Sequence, residues 1–401
     1  MNTLINICQI WFYELKEVCK DEGIMIFIFF VPLAYPLLYA YVYTNEVVRE
    51  IPAAVVDDCH SSLSREFIRN IDATPETSVI AHCPNMAEAQ QLIKRHEIYG
   101  IYHIPSSFDR DLWRGDQTRV GLYCDMSSML YYKGLILSAN NVALDMNRDI
   151  KARHYIPTTT DREEQVAKMP VDYEYVPLYN PQSGFSAFLI PPVLMLIIQQ
   201  TIFLGIGMSM GRGRENYRRN FTQLKNLYTA PGRIVAGKAC FYFMVYLVMA
   251  VYMFTVVNHL FGLPTLGHYC TFIAFIVPYL LACIFLAIVL SVLVYRREDC
   301  IMLFVSLSVP MLFLSGVTWP AETMPTFWRY VSYLFPSTFG MNGYVHISSM
   351  GASIQDVAFH YRGLWIQTAV YFFAACALYK WRIHLVKQRL PLLEARSSTC
   401  A

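Results

Sequence analysis

Residues 24–44 read IMIFIFFVPLAYPLLYAYVYT, a run without a single charge. About 20 helical residues at about 1.5 Å each cross the hydrocarbon of a bilayer, so the run is long enough to be a membrane span. Pro32 and Pro36 lie four apart and share one helical face. Its apolar part is too long for a cleaved signal peptide, and Glu14, Glu17, Asp21 and Glu22 precede it, so a retained anchor is expected.

Five further apolar stretches follow: Phe185 to Met210, Ala239 to His259, Tyr269 to Tyr295, Cys300 to Val317 and Leu364 to Tyr379. The last two are near the minimum length. Of the 401 residues, 55% are hydrophobic and 15% charged, against about a quarter charged in an ordinary soluble domain. The charges gather in 45–182, which fits an integral membrane protein carrying one aqueous domain. A net charge of +2 gives no reason to expect nucleic acid as a partner. The cysteines form no C-x-x-C pair and no zinc-type spacing with histidine, so no metal centre is expected.

Lysines and arginines in short loops set orientation. Between the second and third spans lie Arg212, Arg214, Arg218, Arg219, Lys225, Arg233 and Lys238, and after the sixth come Lys380, Arg382, Lys387, Arg389 and Arg396. Residues 258–270 have none, and 318–361 have only Arg329. Both termini are therefore expected in the cytoplasm. Residues 1–23 are expected as an interfacial helix there, because Leu4, Ile7, Cys8, Trp11, Leu15 and Val18 recur at helical spacing; a helix packed on a soluble partner would use the same stripe.

Residues 45–182 then lie outside. Strands at 52–57, 77–83, 99–105, 119–125 and 171–177 alternate with helices at 61–71, 86–97 and near 129–154, the pattern of an α/β domain. Asp58 and Ser61 read as the turn and N-cap of the first of these helices, not as a catalytic carboxylate and serine. Cys59 and Cys83 each end an expected strand in a compartment where disulfides persist, and a bond between them is expected.

Residues 232–239, GRIVAGKA, nearly match the phosphate loop G-x-x-x-x-G-K-[ST], but Ala239 stands where a magnesium-binding hydroxyl must be, and no strand precedes it. Nucleotide binding by this chain is not expected. The basic stretch 211–238 around it holds Phe221, Leu224 and Leu227 at helical spacing before Pro231. Such a helix either offers one side to a cytoplasmic partner or, with its arginines, sets topology and binds anionic lipid. Within the spans, Gln199 and Gln200 are costly in lipid and face either a pathway or neighbouring helices.

Residues 315–340, SGVTWPAETMPTFWRYVSYLFPSTFG, break from a span into prolines and aromatics. Ser315 and Gly316 allow close backbone approach, and Pro320 and Pro325 restart the chain in short helical pieces. Phe327, Trp328, Val331, Leu334 and Phe335 are expected on one apolar face, with Thr326, Arg329 and Ser332 away from it. The segment reads as a half-embedded cap, with Trp319 and Trp328 at headgroup level; a plain aromatic anchor is the alternative. Ser315 with His346 as an intramembrane nucleophile and base lacks any third orienting residue, so no enzyme is expected.

Over nearly its whole length the chain resembles the permease subunit of ABC type-2 exporters, in the branch with a large extracytoplasmic domain between the first and second spans. The resemblance rests on YELKEVCKDE with the VPLAYPLLY span, on IPAAVVDDCHSSLSREFIRNI, and on the SG, WP, MP, W and FPSTFG landmarks of 315–340. In the cytoplasmic loop the chain keeps Arg214, Glu215, Thr222, Leu224, Pro231, Gly237 and Lys238 of the family pattern, with Asn220-Phe221 before the threonine where glycine is usual. The resemblance implies a six-helix membrane protein with an α/β domain at 45–182 and helices two to six in 183–401. It further implies a coupling loop at 211–238, an outer amphipathic segment at 318–361 and a cytoplasmic tail at 381–401. Two permeases would pair in a bacterial inner membrane and dock separate ATPase subunits, which would hold the ATP and magnesium. Arg214, Glu215, Arg218, Arg219, Thr222, Leu224, Pro231 and Lys238 would form the coupling loop. Gln199, Gln200, Ser315, Gly316, Trp319, Pro320 and Trp328 would line the path or its outer gate. A periplasmic adaptor with an outer-membrane channel is a further partner it leaves open, and a non-transporting scaffold or mechanical transmitter is the alternative function.

Overall fold

The computed structural model describes residues 2–44, 47–114, 116–155, 179–180, 184–215, 231–263, 265–294 and 296–399. Two compact units divide the chain, one formed by 1–46 with 177–401 and the other by 47–176.

Helix α1 (Asn2–Cys19) buries Ile10, Glu14 and Val18 along one side, the i, i+4 row of a helix. Asp21 then caps α2 (Glu22–Val42), its carboxylate accepting from the amides of Gly23 at 3.1 Å and Ile24 at 3.3 Å. These are donors that a helix start otherwise leaves unpaired. Ahead of Pro32 the helix widens into a π-turn over Ile26–Phe30. Proline donates no amide and its ring crowds the carbonyl four residues back, here that of Ile28, so the wider register falls where the ordinary ladder is interrupted.

In the second unit β1 (Ile51–Asp57), α3 (Ser62–Asp72), β2 (Thr77–His82), α4 (Met86–Lys94) and β3 (Gly100–Ile104) alternate. They are followed by α5 (Phe108–Arg114), β4 (Gly121–Cys124) and α6 (Met129–Tyr155). Helix α5 falls where the sequence suggested no element, and the strand expected at 171–177 lies outside the described residues. The sheet order is β2-β1-β3-β4, with β1 parallel to β2 and β3, and β4 antiparallel at the edge. Central β1 is buried on both faces, and its Ala53, Ala54, Val55 and Val56 form the uninterrupted apolar run such a strand needs. Ala53 and Val55 pack with Phe67 and Ile71 of α3 and Leu135 of α6. Ala54 and Val56 pack with Ala89 of α4 on the opposite face. The chain moves one way from β1 to β2 and back across β1 to β3, so crossovers of one hand put α3 and α4 on opposite faces.

Ser61 caps α3, its hydroxyl accepting from the Ser64 amide at 3.0 Å. The adjoining turn belongs to Asp57, which accepts from the amides of Cys59 and His60, both at 3.0 Å. Asp58 instead meets His103 Nε2 at 2.9 Å. The expected bond between Cys59 and Cys83 is absent, and both are free thiols. Cys59 packs with the α3 cluster and Cys83 with the α4 cluster, so the sheet separates them.

The first unit continues with α7 (Phe185–Glu215), α8 (Pro231–Leu260), α9 (Tyr269–Leu290), α10 (Arg297–Leu314), α11 (Thr326–Ser332), α12 (Pro336–Met350) and α13 (Ala358–Thr399). Among the described residues, four helices are long and apolar enough to cross a membrane: Glu22–Val42, Phe185–Arg212, Pro231–Leu260 and Tyr269–Leu293. Helix α10 holds the fifth apolar stretch as far as Leu314 and α13 holds the sixth, but neither is among the four. The first opens on Arg297, Glu298 and Asp299, and the second carries Gln367 and Thr368 within its apolar part. Ile28, Leu194, Phe203, Tyr246 and Tyr279 meet in one core, while Phe30, Leu38, Val248, Phe313 and Phe373 face outward. So many outward apolar side chains on long helices suit a lipid surface, not water.

Candidate functional site

Two polar clusters interrupt the apolar core of the helical unit. The first joins α1 to the helices on either side of 216–230. Glu14 is 2% exposed, and its carboxylate oxygens lie 2.8 and 2.6 Å from the Lys238 ammonium. The Ser209 and Tyr242 hydroxyls also donate to it, at 3.0 and 3.1 Å. One turn beyond α1, Arg212 donates to the Asp21 carboxylate at 2.9 Å and to the Glu17 carbonyl at 3.3 Å. Two acids thus face two bases, and each buried charge has an opposite neighbour, without which burial would be prohibitive. Gly237 lets the helices close on each other: a Cβ there would lie 2.8 Å from Ile10 Cβ.

This geometry moves several of the expected coupling residues. Pro231 opens α8, where its missing amide is harmless. Lys238 is not in a loop but two turns inside α8, committed to Glu14. Residues 232–239 are therefore helix and do not form a phosphate-cradling turn. Arg214 and Glu215 occupy the last turn of α7, while Arg218, Arg219, Thr222 and Leu224 lie outside the described residues. Sequence reading missed Glu14 and Asp21 as partners. The available signal was an acid at position 14 close to the apolar stripe, where an unpaired charge would not settle.

The second cluster sits where α7, α9, α10 and α12 meet. Gln199 is fully buried and donates to Met311 Sδ and to Ser337 Oγ, both at 3.2 Å, while its carbonyl oxygen accepts the Cys283 thiol at 3.7 Å. Half-buried Gln200 donates to the same Met311 sulfur at 3.3 Å. Both amides are thus engaged by neighbouring helices. Ser315 is buried, and its carbonyl accepts from Asn342 Nδ2 at 2.7 Å. Asn342 also donates to Thr338, at 2.8 Å. Gly316 adopts φ +87°, the left-handed conformation that turns the chain out of α10.

Beyond that turn Phe327, Trp328 and Leu334 of the expected apolar face point outward, as does Trp319 ahead of Pro320, while Val331 and Phe335 are half-buried, Phe335 packs on the helical core and Ser332 is buried. The hydroxyl of Ser332 donates to Arg329's carbonyl at 2.8 Å, and its own carbonyl accepts from Thr338 at 2.7 Å. With its hydroxyl satisfied locally, Ser332 fits inside, and the larger rings take the outer surface.

The family model described as ABC-2 family transporter protein matches residues 23–377. No curated protein matches the chain. The match spans the apolar helices, the α/β unit, the Gln199 cluster, Ser209, Arg212, Lys238 and Tyr242 of the first cluster, and the 315–340 turn, while Glu14, Glu17 and Asp21 precede it. The chain therefore belongs to the ABC-2 family of transporter proteins, as a multi-pass membrane permease component whose family works with ABC ATPase subunits.

Proposed function

We propose that the chain is the six-span permease of an ATP-driven exporter, moving a hydrophobic or amphipathic molecule outward across a bacterial inner membrane. The observation that supports it most is the pair of ionic contacts flanking 213–237: Arg212 with Asp21 before it, and Lys238 with Glu14 after it. Lys238 holds one end to Glu14 of α1, and Arg212 holds the other to the Glu17 carbonyl of α1 and to Asp21 at the start of α2, so a push on the segment by an ATPase reaches α1, α2, α7 and α8 together. From α7 it continues through Gln199 and Met311 to α10 and α12, which lead to the Ser315–Gly316 turn. The basic loops at 211–238 and 380–396 favour cytoplasmic termini and an α/β unit on the outer side. A second copy would complete the path, ATP and magnesium would be held by the ATPase, and an adaptor with an outer channel would receive the cargo.

The test is reconstitution of the chain with its ATPase in vesicles, comparing wild type with Glu215→Ala and Arg218→Ala. Under this reading ATP hydrolysis persists while export of an apolar fluorescent cargo falls at least ten-fold. Export that is unchanged in both variants overturns the coupling role. Hydrolysis that alters an external partner without any cargo movement would instead identify a mechanical transmitter.

A further inference from the structure

The α/β unit holds a cavity of about 610 Å³ lined, among the described residues, by positions between Phe67 and Ile150, within the volume range of small-molecule sites. Phe67 of α3 and Phe108 of α5 wall one side, Leu122 and Cys124 of β4 the floor, and α6 the other side. Along α6 the lining includes half-buried Ala139 and Ala143 with Asn140 and Asn147 at the solvent-facing mouth, neighbours on one helical face. Two alanines there leave room that larger side chains would fill, and two carboxamides offer hydrogen bonds in an otherwise apolar wall. Thr118 also lines the cavity, and its hydroxyl is buried without a partner among the described residues. By contrast, the nearby Tyr102 hydroxyl is already committed to the Leu135 carbonyl at 3.0 Å.

The wall sets the chemistry of an occupant. Among the described residues, none lining the cavity is Asp, Glu, Lys, Arg or His, so nothing would balance a charge carried in from water. The cavity opens to solvent, and water alone would suit the amides but not the aromatic side. We infer that this cavity binds a neutral amphipathic molecule, its apolar body against Phe67, Phe108 and Leu122 and its hydrogen-bonding end at Thr118, Asn140 and Asn147. The site stands apart from the export reading, since a chain that exports nothing would still bind or fail to bind.

A photoreactive monoacylglycerol carrying a chain-terminal diazirine tests it, applied to the full chain in phosphatidylcholine nanodiscs. Trypsin would release 120–133 and 134–148, which carry the floor and the α6 wall. Adducts are expected on both peptides and should be competed away by unlabelled monoacylglycerol. A probe of the same chain ending in a carboxylate should label them at least ten-fold less. Ala143→Phe fills the space and should reduce labelling about ten-fold. Thr118→Val preserves shape and should reduce it about three-fold, the value of one hydrogen bond. Adducts confined to 185–399, equal labelling by the carboxylate, or labelling unchanged in Thr118→Val would overturn the site.

Discussion

Glu14 and Lys238 stand 224 positions apart in the chain and 2.6 Å apart in space, with the lysine reaching across from α8 to α1. Removing one partner of such a buried pair leaves an uncompensated charge. Lys238→Met should therefore cost about 3–5 kcal/mol, read as a lowered Tm of the purified chain. Adding Glu14→Gln should recover most of that loss, because no charge is then stranded. A double variant no more stable than the single one would argue against the pairing.

At Gly316 the backbone sits at φ +87°, and a Cβ would lie 3.3 Å from that of Ala321. Gly316→Ala should destabilise the chain by about 1–2 kcal/mol, and Gly316→Val by more. Limited proteolysis at 315–325 provides a local readout, with faster cleavage expected in both. Equal cleavage rates across the three proteins would show that the turn does not depend on this conformation.

The cap at Ser61 makes a separate prediction for the α/β unit. Ser61→Ala removes the acceptor for the Ser64 amide and should cost about 1 kcal/mol, whereas Ser61→Gly should cost only a few tenths. Hydrogen exchange of the α3 amides should rise several-fold in the first variant and little in the second.

Burial pushes the Cys124 thiol up to about 11. Only the thiolate is alkylated, and a raised value means less thiolate at any pH below it. At pH 8 alkylation of folded Cys124 should be at least about ten-fold slower than in the unfolded chain. The folded rate should climb steadily as pH rises toward 11. A folded rate that levels off near pH 9 would count against this environment.

The long uncharged runs and the alternating pattern of 51–124 were legible because each depends on local composition and period alone. The caps were nearly as clear: Ser61 acts from its own neighbourhood, though the turn fell to Asp57 and not to Asp58. What escaped reading was decided by distant segments. Lys238 looked like a loop cation because nothing near it in sequence announces Glu14. Helical spacing set Ser332 apart from Phe327 and Trp328 but could not say which side turns inward, since that depends on a serine satisfying itself on the backbone. The expected Cys59–Cys83 bond failed for a similar reason, since strand ends that are close in order can still fall on opposite faces of a sheet.

The span between Glu14 and Lys238 also sets an order of assembly. At roughly 5–20 residues per second, synthesis of the intervening 224 positions takes about 10–45 s. Throughout that interval α1 has emerged, but its basic partner does not yet exist. The buried acid must wait in water or at the membrane surface until α8 arrives. Helix α1 is therefore made well before it can be locked in place.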